Sequence, residues 1–233
     1  MIQLISIHIA KTAGTTFYQS LLMVYGKHLD QRTKRIAFFP DGTERQLTES
    51  DFSPDIKVVH GHLRFYHIEK IYKLRQPFLI AWMRNPVDRV ISNYYFMIHA
   101  VHGKPAHPHY SKRNYSLLEY ANDSIPNKMC HYLEGISLDK IDFVGFQESF
   151  NHDFLQLSAL LGWKTPLAPE YLNEREYEPE SVHYPTKPEQ IDESMRSKIS
   201  LINQQDMELY HRAEEYRQKN YWVNNFNPKK HVF

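Results

Sequence analysis

The segment IQLISIHIAKTAGTTFYQSLLMVY, at residues 2–25, predicts a strand, a turn and a helix in direct succession. Residues 2–9 are mostly β-branched and apolar, which favours a buried strand. Residues 11–16 are polar with one glycine, which is typical of a tight turn. From Phe17 to Tyr25, large apolar residues recur at helical spacing. A buried strand that passes through a short turn into a helix is the building unit of parallel α/β sheets.

The rest of the chain continues the alternation of strands and helices. Further strands are predicted at 56–59, 78–83 and 141–144, and further helices at 86–99, 116–122, 127–133, 150–161 and 191–219. Residues 103–114 and 165–188 are predicted to be exposed, non-helical segments, and residues 30–55 give no clear pattern. The sequence therefore predicts one α/β domain over residues 1–233, with a mostly parallel sheet.

Composition excludes several classes of protein. The 28 basic and 27 acidic residues give a net charge of +1, which excludes a protein that coats nucleic acid. Cys130 is the one cysteine, so there is no internal disulfide and no multi-cysteine zinc site, as expected for a reducing compartment. No apolar run approaches the roughly 20 residues that span a bilayer. The amino-terminal residues lack the basic start of a signal peptide, so we expect a cytoplasmic protein.

The turn after the first strand has the features of an anion-binding site. A helix that begins there offers backbone N–H groups and the positive end of its dipole. Lys11 adds a charge, Thr12, Thr15 and Thr16 add hydroxyls, and Gly14 allows close approach of the backbone. The order G-x-x-x-x-G-K-[ST] of nucleotide triphosphatases is absent. The alternative is an ordinary turn with a solvated lysine.

A second candidate anion site lies in the segment RNPVDRVISNY, which begins at Arg84. Arg84 ends a predicted strand, and Asn85 followed by proline is typical of a helix start. Ser92 lies about 10 Å further along that helix, so Arg84 and Ser92 are placed to hold a phosphate beside its first two turns. The alternative is that Arg84 and Arg89 pair with acids such as Asp88 while Ser92 faces solvent.

Together these segments resemble the sulfotransferases. IHIAKTAGTTF resembles the strand and H-I-x-K-[TS]-[AG]-G-[ST]-[ST] loop with which that family begins, and RNPVDRVISNY resembles its R-x-P-V-x-R-x-x-S-x-Y segment. VVHGHLRFY is similar to the family's Gly-His strand end, and NKMCHYLEG, DFVGFQESFNHDFLQL and INQQDMELYHRA are similar to later segments. The resemblance covers most of residues 2–215 and is strongest to the carbohydrate-type branch that contains the heparan 2-O-sulfotransferases.

The resemblance implies a P-loop-NTPase-like three-layer fold and the sulfuryl donor 3′-phosphoadenosine-5′-phosphosulfate (PAPS). It implies that Arg84 and Ser92 bind the 3′-phosphate. The loop that would bind the 5′-phosphosulfate comprises Lys11, Thr12, Ala13, Gly14, Thr15 and Thr16. Two anion sites on neighbouring strand ends agree with a donor that carries phosphate at both ends of a ribose. The adenine contacts have no match in this sequence.

Sulfuryl transfer needs charge stabilisation on the leaving phosphate and a base for the acceptor hydroxyl. We expect Lys11 to stabilise the leaving group and His62 to act as the base, with His60 as the second candidate. His60 and His62 lie on one face of a strand, so both side chains are expected near one cleft. The alternative is that one or both only hydrogen-bond the edge of the core. No metal ion is required.

Other functions remain open at the level of the sequence. A small-molecule kinase would use a similar frame, and a non-catalytic nucleotide-binding protein would retain the donor site alone. The histidines His99, His102, His107 and His109 lack an accompanying cysteine or carboxylate cluster, so we do not expect a metal site there. We interpret residues 99–114 as a lid on the acceptor side, with a plain solvated loop as the alternative.

The expected acceptor is a hydroxyl on a glycan, a sugar or another small alcohol, and no nucleic acid is expected as a partner. The single cysteine and the early first strand differ from membrane-anchored glycan sulfotransferases. We therefore expect a small bacterial member of the family, a difference that weakens heparan as the acceptor.

Overall fold

The structure, a computed structural model that describes residues 1–30, 43–163 and 191–226, is built on a parallel sheet. Within these ranges the five strands are β1 (Leu4–Ile7), β2 (Leu29–Asp30), β3 (Val58–Gly61), β4 (Phe78–Met83) and β5 (Phe143–Phe146). Their order across the sheet is β2-β3-β1-β4-β5, and every neighbouring pair is parallel. The predicted α/β fold with a parallel sheet is confirmed.

Helices connect and flank these strands. They are α1 (Gly14–Tyr25), α2 (Phe65–Arg75), α3 (Pro86–Val101), α4 (Leu117–Asp123), α5 (Lys128–Leu133), α6 (Phe150–Leu160), α7 (Glu193–Ile202), α8 (Gln204–Gln218) and α9 (Tyr221–Asn224). The main apolar core lies on the sheet, and a second apolar cluster joins α3, α4 and α7.

The position of β1 in the middle of the sheet decides which residues meet at its carboxyl edge. Ile7 of β1 lies opposite Gly61 of β3, and β1 also pairs with β4 on its other side. His8, His62 and Arg84 directly follow these three strands. Parallel sheets bind ligands beyond the carboxyl ends of their strands, so the register brings the three candidate segments to one edge.

Aromatic packing on β4 fixes α1 against the sheet. The ring of Trp82 lies 4.5 Å from that of Phe150 in α6 and 5.3 Å from that of Phe17 in α1, measured between centroids. Gly145 of β5 provides the room, because a Cβ atom at that position would overlap the indole. The loop between β1 and α1 therefore leads into a helix whose position on the sheet is fixed by this packing.

The predicted start of α3 is confirmed in detail. The Asn85 side-chain oxygen accepts the N–H groups of Val87 and Asp88 at 3.0 and 3.3 Å, and Pro86 occupies the first helical position. This cap satisfies two of the backbone donors that a helix start leaves without partners. It also sets the direction in which α3 leaves the end of β4.

One helix predicted over residues 191–219 is instead two, α7 and α8, which meet at Asn203. The Asn203 side chain donates to the Ile199 carbonyl at 3.0 Å and accepts the N–H of Asn127 at 3.1 Å. Asn127 in return accepts the N–H of Asp206 through its side chain at 3.1 Å. Side-chain hydrogen bonds thus compete with the helical pattern here.

Three elements were missed from the sequence, and one of them, α9, has only four residues. Strand β2 has only two residues, too few for a pattern. Helix α2 begins after Arg64 and ends at Gln76 with φ 47°, so neither end has a residue type that commonly caps a helix. The predicted extended segment at 165–188 lies outside the described residues.

Candidate active site at the carboxyl ends of β1, β3 and β4

The loop between β1 and α1 has a constrained backbone. Lys11 and Ala13 both have left-handed conformations, with φ of 69° and 65°. Such a conformation costs a residue with a side chain roughly 1–2 kcal/mol. The Thr12 hydroxyl donates to the Ile9 carbonyl at 2.8 Å and is buried, which holds the loop in this shape. Strain of this kind collects at ligand-binding sites.

The start of α1 is open to an anion. The helix begins at Gly14, earlier than the predicted Phe17, and its N-cap Ala13 has no side-chain oxygen to accept a backbone N–H. The first turn contains no acidic residue. The positive end of the helix dipole and the first N–H groups, including that of Thr15, are therefore available to an anionic ligand.

Lys11 and Arg84 lie side by side at this helix start. The Arg84 Nη1 donates to the Lys11 carbonyl at 3.4 Å, and the Arg84 Nε is buried without a hydrogen-bond partner in the described part of the chain. Burial lowers the pKa of the Lys11 ammonium, and the nearby Arg84 charge lowers it further. Two neighbouring cations at the start of a helix favour the binding of an anion.

Ser92 lies on the face of α3 that turns toward this loop. The Lys11 Nζ lies 4.4 Å from the ring centroid of Phe96, which is one turn beyond Ser92 on the same helix face. Phe96 is 58% exposed and was not identified from the sequence. The structure therefore brings Lys11, Arg84 and the Ser92 face of α3 to one place.

His60 and His62 have different environments although they are two residues apart. His60 is only 6% exposed, its Nδ1 lies 3.0 Å from the Ser6 hydroxyl, and its ring packs near Phe17. Burial, followed by the charge of His62, lowers the pKa of His60 to about 3. His60 is thus a neutral, buried group at neutral pH and a weak proton acceptor.

The hydrogen bond made by His62 determines its tautomer. His62 is half-buried, and its Nδ1 lies 2.8 Å from the His8 carbonyl oxygen. A carbonyl oxygen only accepts, so the neutral ring carries its proton on Nδ1 and its lone pair on Nε2. This tautomer is the one that a general base with Nε2 as proton acceptor requires.

A third histidine, His8, joins the two. Its ring stacks on those of His62 and His60 with centroid distances of 4.0 and 5.0 Å. A Cβ atom at Gly14 would overlap the His8 ring. His8 is part of the first sequence motif, but no role was predicted for it. The available signal was its position two residues after Ser6, which puts both residues on one strand face.

The profile of the sulfotransferase family matches residues 2–213. The chain belongs to the sulfotransferase family. The match spans all five strands and the whole edge described above, and it confirms the family resemblance seen in the sequence. No curated protein matches the chain. The family match therefore supports sulfuryl transfer as the general chemistry of this chain.

Within this sulfotransferase, Arg89 has a structural position. It is 2% exposed, and its Nη2 lies 3.9 Å from a carboxylate oxygen of the fully buried Asp206. Asp88 pairs with Arg196 at 2.8 Å. Asp88, the acid that the sequence offered as a partner for Arg84 and Arg89, thus pairs with Arg196, while Arg89 lies near a different acid, Asp206.

Cys130 lies near the same buried carboxylate. Its backbone N–H donates to Asp206 at 2.8 Å. Burial raises the pKa of its thiol to about 12, with the Asp206 charge as the next cause. The side chain therefore stays protonated at neutral pH.

The histidines between residues 99 and 109 are not arranged around a common point in a way that suggests a metal. His107 accepts the N–H of His109 through its Nδ1 at 3.1 Å. Across residues 1–30, 43–163 and 191–226, no three potential metal-ligating side chains form such a group. In the neighbouring loop Lys112 pairs with Asp123.

Among the described residues, no helix has the length and apolar character to cross a membrane.

Proposed function

We propose that this sulfotransferase moves a sulfuryl group from PAPS to a hydroxyl of its acceptor. The observation that carries the proposal is the junction of Lys11, Arg84 and the uncapped start of α1, where Arg84 donates to the Lys11 carbonyl. Phosphate groups at the two ends of one donor match an anion site on the loop and a second one beside α3.

The loop supplies the 5′ end of the donor site in this proposal. Backbone N–H groups of Gly14 and Thr15 bind the 5′-phosphate, with the Thr15 and Thr16 hydroxyls as further donors. Ala13 contributes its left-handed backbone and the room that its small side chain leaves. Thr12 acts indirectly, because its hydroxyl is used to hold the loop to Ile9.

Arg84 and Ser92 supply the 3′ end. The Arg84 Nε is buried and lacks a hydrogen-bond partner among the described residues, so a phosphate oxygen there would remove an energetic cost. Ser92 faces the same region from α3 and adds a hydroxyl donor. A nucleotide without a 3′-phosphate would leave this half of the site without its ligand.

The transfer step is a displacement at sulfur. The acceptor oxygen forms a bond to sulfur as the bond from sulfur to the bridging oxygen breaks, and the products are a sulfate ester and adenosine 3′,5′-bisphosphate. Lys11 stabilises the charge that develops on the bridging oxygen. The Nε2 of His62 takes the proton of the acceptor hydroxyl. We favour His62 over His60 because His60 is buried and has a pKa of about 3.

The acceptor that we propose is a sugar, a glycan or another small alcohol. The net charge of +1 provides no long-range attraction for a highly charged polymer, which favours a small or weakly charged acceptor. Residues 99–114 follow Phe96 on α3, and we propose that this segment lies on the acceptor side as a lid.

Calorimetric titration with adenosine 3′,5′-bisphosphate tests the donor site. We expect binding that Arg84→Ala weakens at least tenfold, because one charge-assisted phosphate contact is lost. The matched control Arg212→Ala removes an exposed arginine from α8 and should leave the affinity unchanged. Equal affinity for ATP with Mg²⁺, or for adenosine 5′-monophosphate, would reject PAPS as the donor and favour a kinase.

A further inference from the structure

The ring of His8 contacts both candidate base residues, His60 and His62. Its ring lies 4.0 Å from that of His62, with an angle of 23° between the planes, and 5.0 Å from that of His60. Three imidazoles are therefore stacked along the carboxyl edge of β1 and β3. His8 contacts both of the other rings, so a shift of its ring toward either neighbour would displace that neighbour.

His8 also contacts the donor loop. The space that a side chain at Gly14 would need is filled by the Cγ, Cδ2 and Nε2 atoms of His8. Gly14 is the first residue of α1, whose N–H groups face the proposed 5′-phosphate site. The lack of a side chain at residue 14 thus allows the imidazole to lie directly against the backbone of the phosphate-binding turn.

The backbone of His8 is held as firmly as its ring. Its N–H donates to the Gly61 carbonyl at 2.8 Å, and its own carbonyl accepts the Nδ1–H of His62 at 2.8 Å. The same residue therefore sets the tautomer of His62 through its carbonyl and the plane of the His62 ring through stacking. Neither contact requires His8 to touch a substrate.

We propose that His8 is a positioning residue that couples the donor loop to the base. Its imidazole acts as a rigid spacer between Gly14 and His62, so that the loop conformation which binds the donor also fixes the Nε2 of His62. This inference rests on the proposed function, in which His62 takes the acceptor proton. A misplacement of about 1 Å at a reacting group lowers a rate on the order of 100-fold, which is why such a spacer matters.

The test uses the imidazole ¹⁵N signals of His62 during titration with adenosine 3′,5′-bisphosphate. In the wild type we expect the Nδ1-protonated tautomer and a change in the His62 signals when the bisphosphate binds. His8→Ala removes the spacer, so bisphosphate affinity should stay within about threefold while the His62 response falls to less than a third. His8→Phe keeps a flat ring in the stack and should restore most of the response.

The outcomes separate the two proposals. No binding of the bisphosphate by the wild type would reject the proposed donor. Binding with an unchanged His62 response in His8→Ala would reject the coupling and leave the donor site intact. A His8→Phe variant that behaves like His8→Ala would also reject it, because a spacer requires the ring and not its nitrogens. Thermal unfolding of each variant shows whether it is folded.

A variant at Gly14 tests the contact between the His8 ring and the donor loop. Gly14→Ala places a methyl group in the space of the His8 ring, so it should displace the ring and change the His62 signals without any ligand. In the double variant His8→Ala with Gly14→Ala the steric conflict is gone, and bisphosphate affinity should lie within about threefold of that of His8→Ala. An unchanged His62 spectrum in Gly14→Ala would contradict the spacer role.

Discussion

Individual side chains at the carboxyl edge carry charge in surroundings that disfavour it. Lys11 is half-buried beside Arg84, and burial lowers its pKa. The aromatic ring of Phe96 offsets part of this cost, because cation–π contacts contribute about 0.5–1 kcal/mol at exposed sites. A charge kept at such a cost indicates a role in binding or chemistry more than in stability.

Lys11→Met separates these two roles, since it keeps the length of the side chain and removes the charge. We expect bisphosphate affinity to fall roughly tenfold because an anion loses a charge-assisted contact. The free energy of unfolding should not decrease, because the variant no longer buries an ammonium group beside Arg84. Calorimetry and urea unfolding measure the two quantities. A destabilised variant with unchanged affinity would assign Lys11 to the fold.

His60 gives a prediction for the pH dependence of stability. Its pKa falls from 6.5 in the unfolded chain to about 3 in the folded one, mainly through burial. Between these values the unfolded chain binds a proton that the folded chain does not, so the free energy of unfolding decreases as pH falls from 6.5 toward 3.

The size of this effect follows from the shift. Between pH 7.5 and pH 5 the wild type should lose about 2 kcal/mol through His60 alone. In urea unfolding His60→Asn should lose less by that amount, since His67 and His131, whose pKa values burial also lowers, titrate in both proteins. Equal losses in the two proteins would contradict the buried, neutral state of His60.

The candidate residues that sequence reasoning identified all lie in short contiguous motifs, such as the loop from Lys11 and the segment from Arg84. His8 and Phe96 received no role because their importance comes from partners far along the chain. The partner of His8 is His62, 54 residues away, and Lys11 meets Phe96 only when β1 and β4 are neighbours. Contacts of this kind depend on strand order, which no local pattern contains.

At the level of elements, the first and last residues of a strand or helix were harder to predict than its presence. The bounds of β4 and the first residue of α3 match the prediction because Asn85 and the following proline mark the boundary in the sequence. Helix α1 begins earlier than expected because Ala13, which cannot cap through its side chain, is forced into a left-handed conformation by the loop. Asn203 divides the predicted helix 191–219 in two, because its side chain forms hydrogen bonds with Ile199 and Asn127.

Asn203→Ala should destabilise the protein by about 1–3 kcal/mol, since it leaves the partly buried N–H of Asn127 without the acceptor that the buried Asn203 side chain provides. The matched control is Asn122→Ala, because Asn122 also donates to a carbonyl four residues earlier, that of Leu118, but is exposed. The control should change the free energy of urea unfolding by less than about 0.5 kcal/mol. Similar effects in both variants would mean that Asn203 contributes only its local bond.

In the molecule as a whole, strand order gathers distant segments into one site. The order β2-β3-β1-β4-β5 brings the ends of the first, third and fourth strands together at the edge that binds ligands in parallel sheets. The fold class was predictable because alternating strands and helices allow few arrangements. The different environments of His60 and His62 were not, since they depend on how deeply each ring is buried in the folded chain.

The place of β1 in the sheet has a consequence for synthesis on the ribosome. This central strand emerges before both of its partners, because β3 and β4 begin only at Val58 and Phe78. The apolar residues of β1 therefore wait without pairing while more than fifty further residues are translated. A nascent chain of this kind exposes an unpaired apolar strand, which is the state that chaperones protect from aggregation.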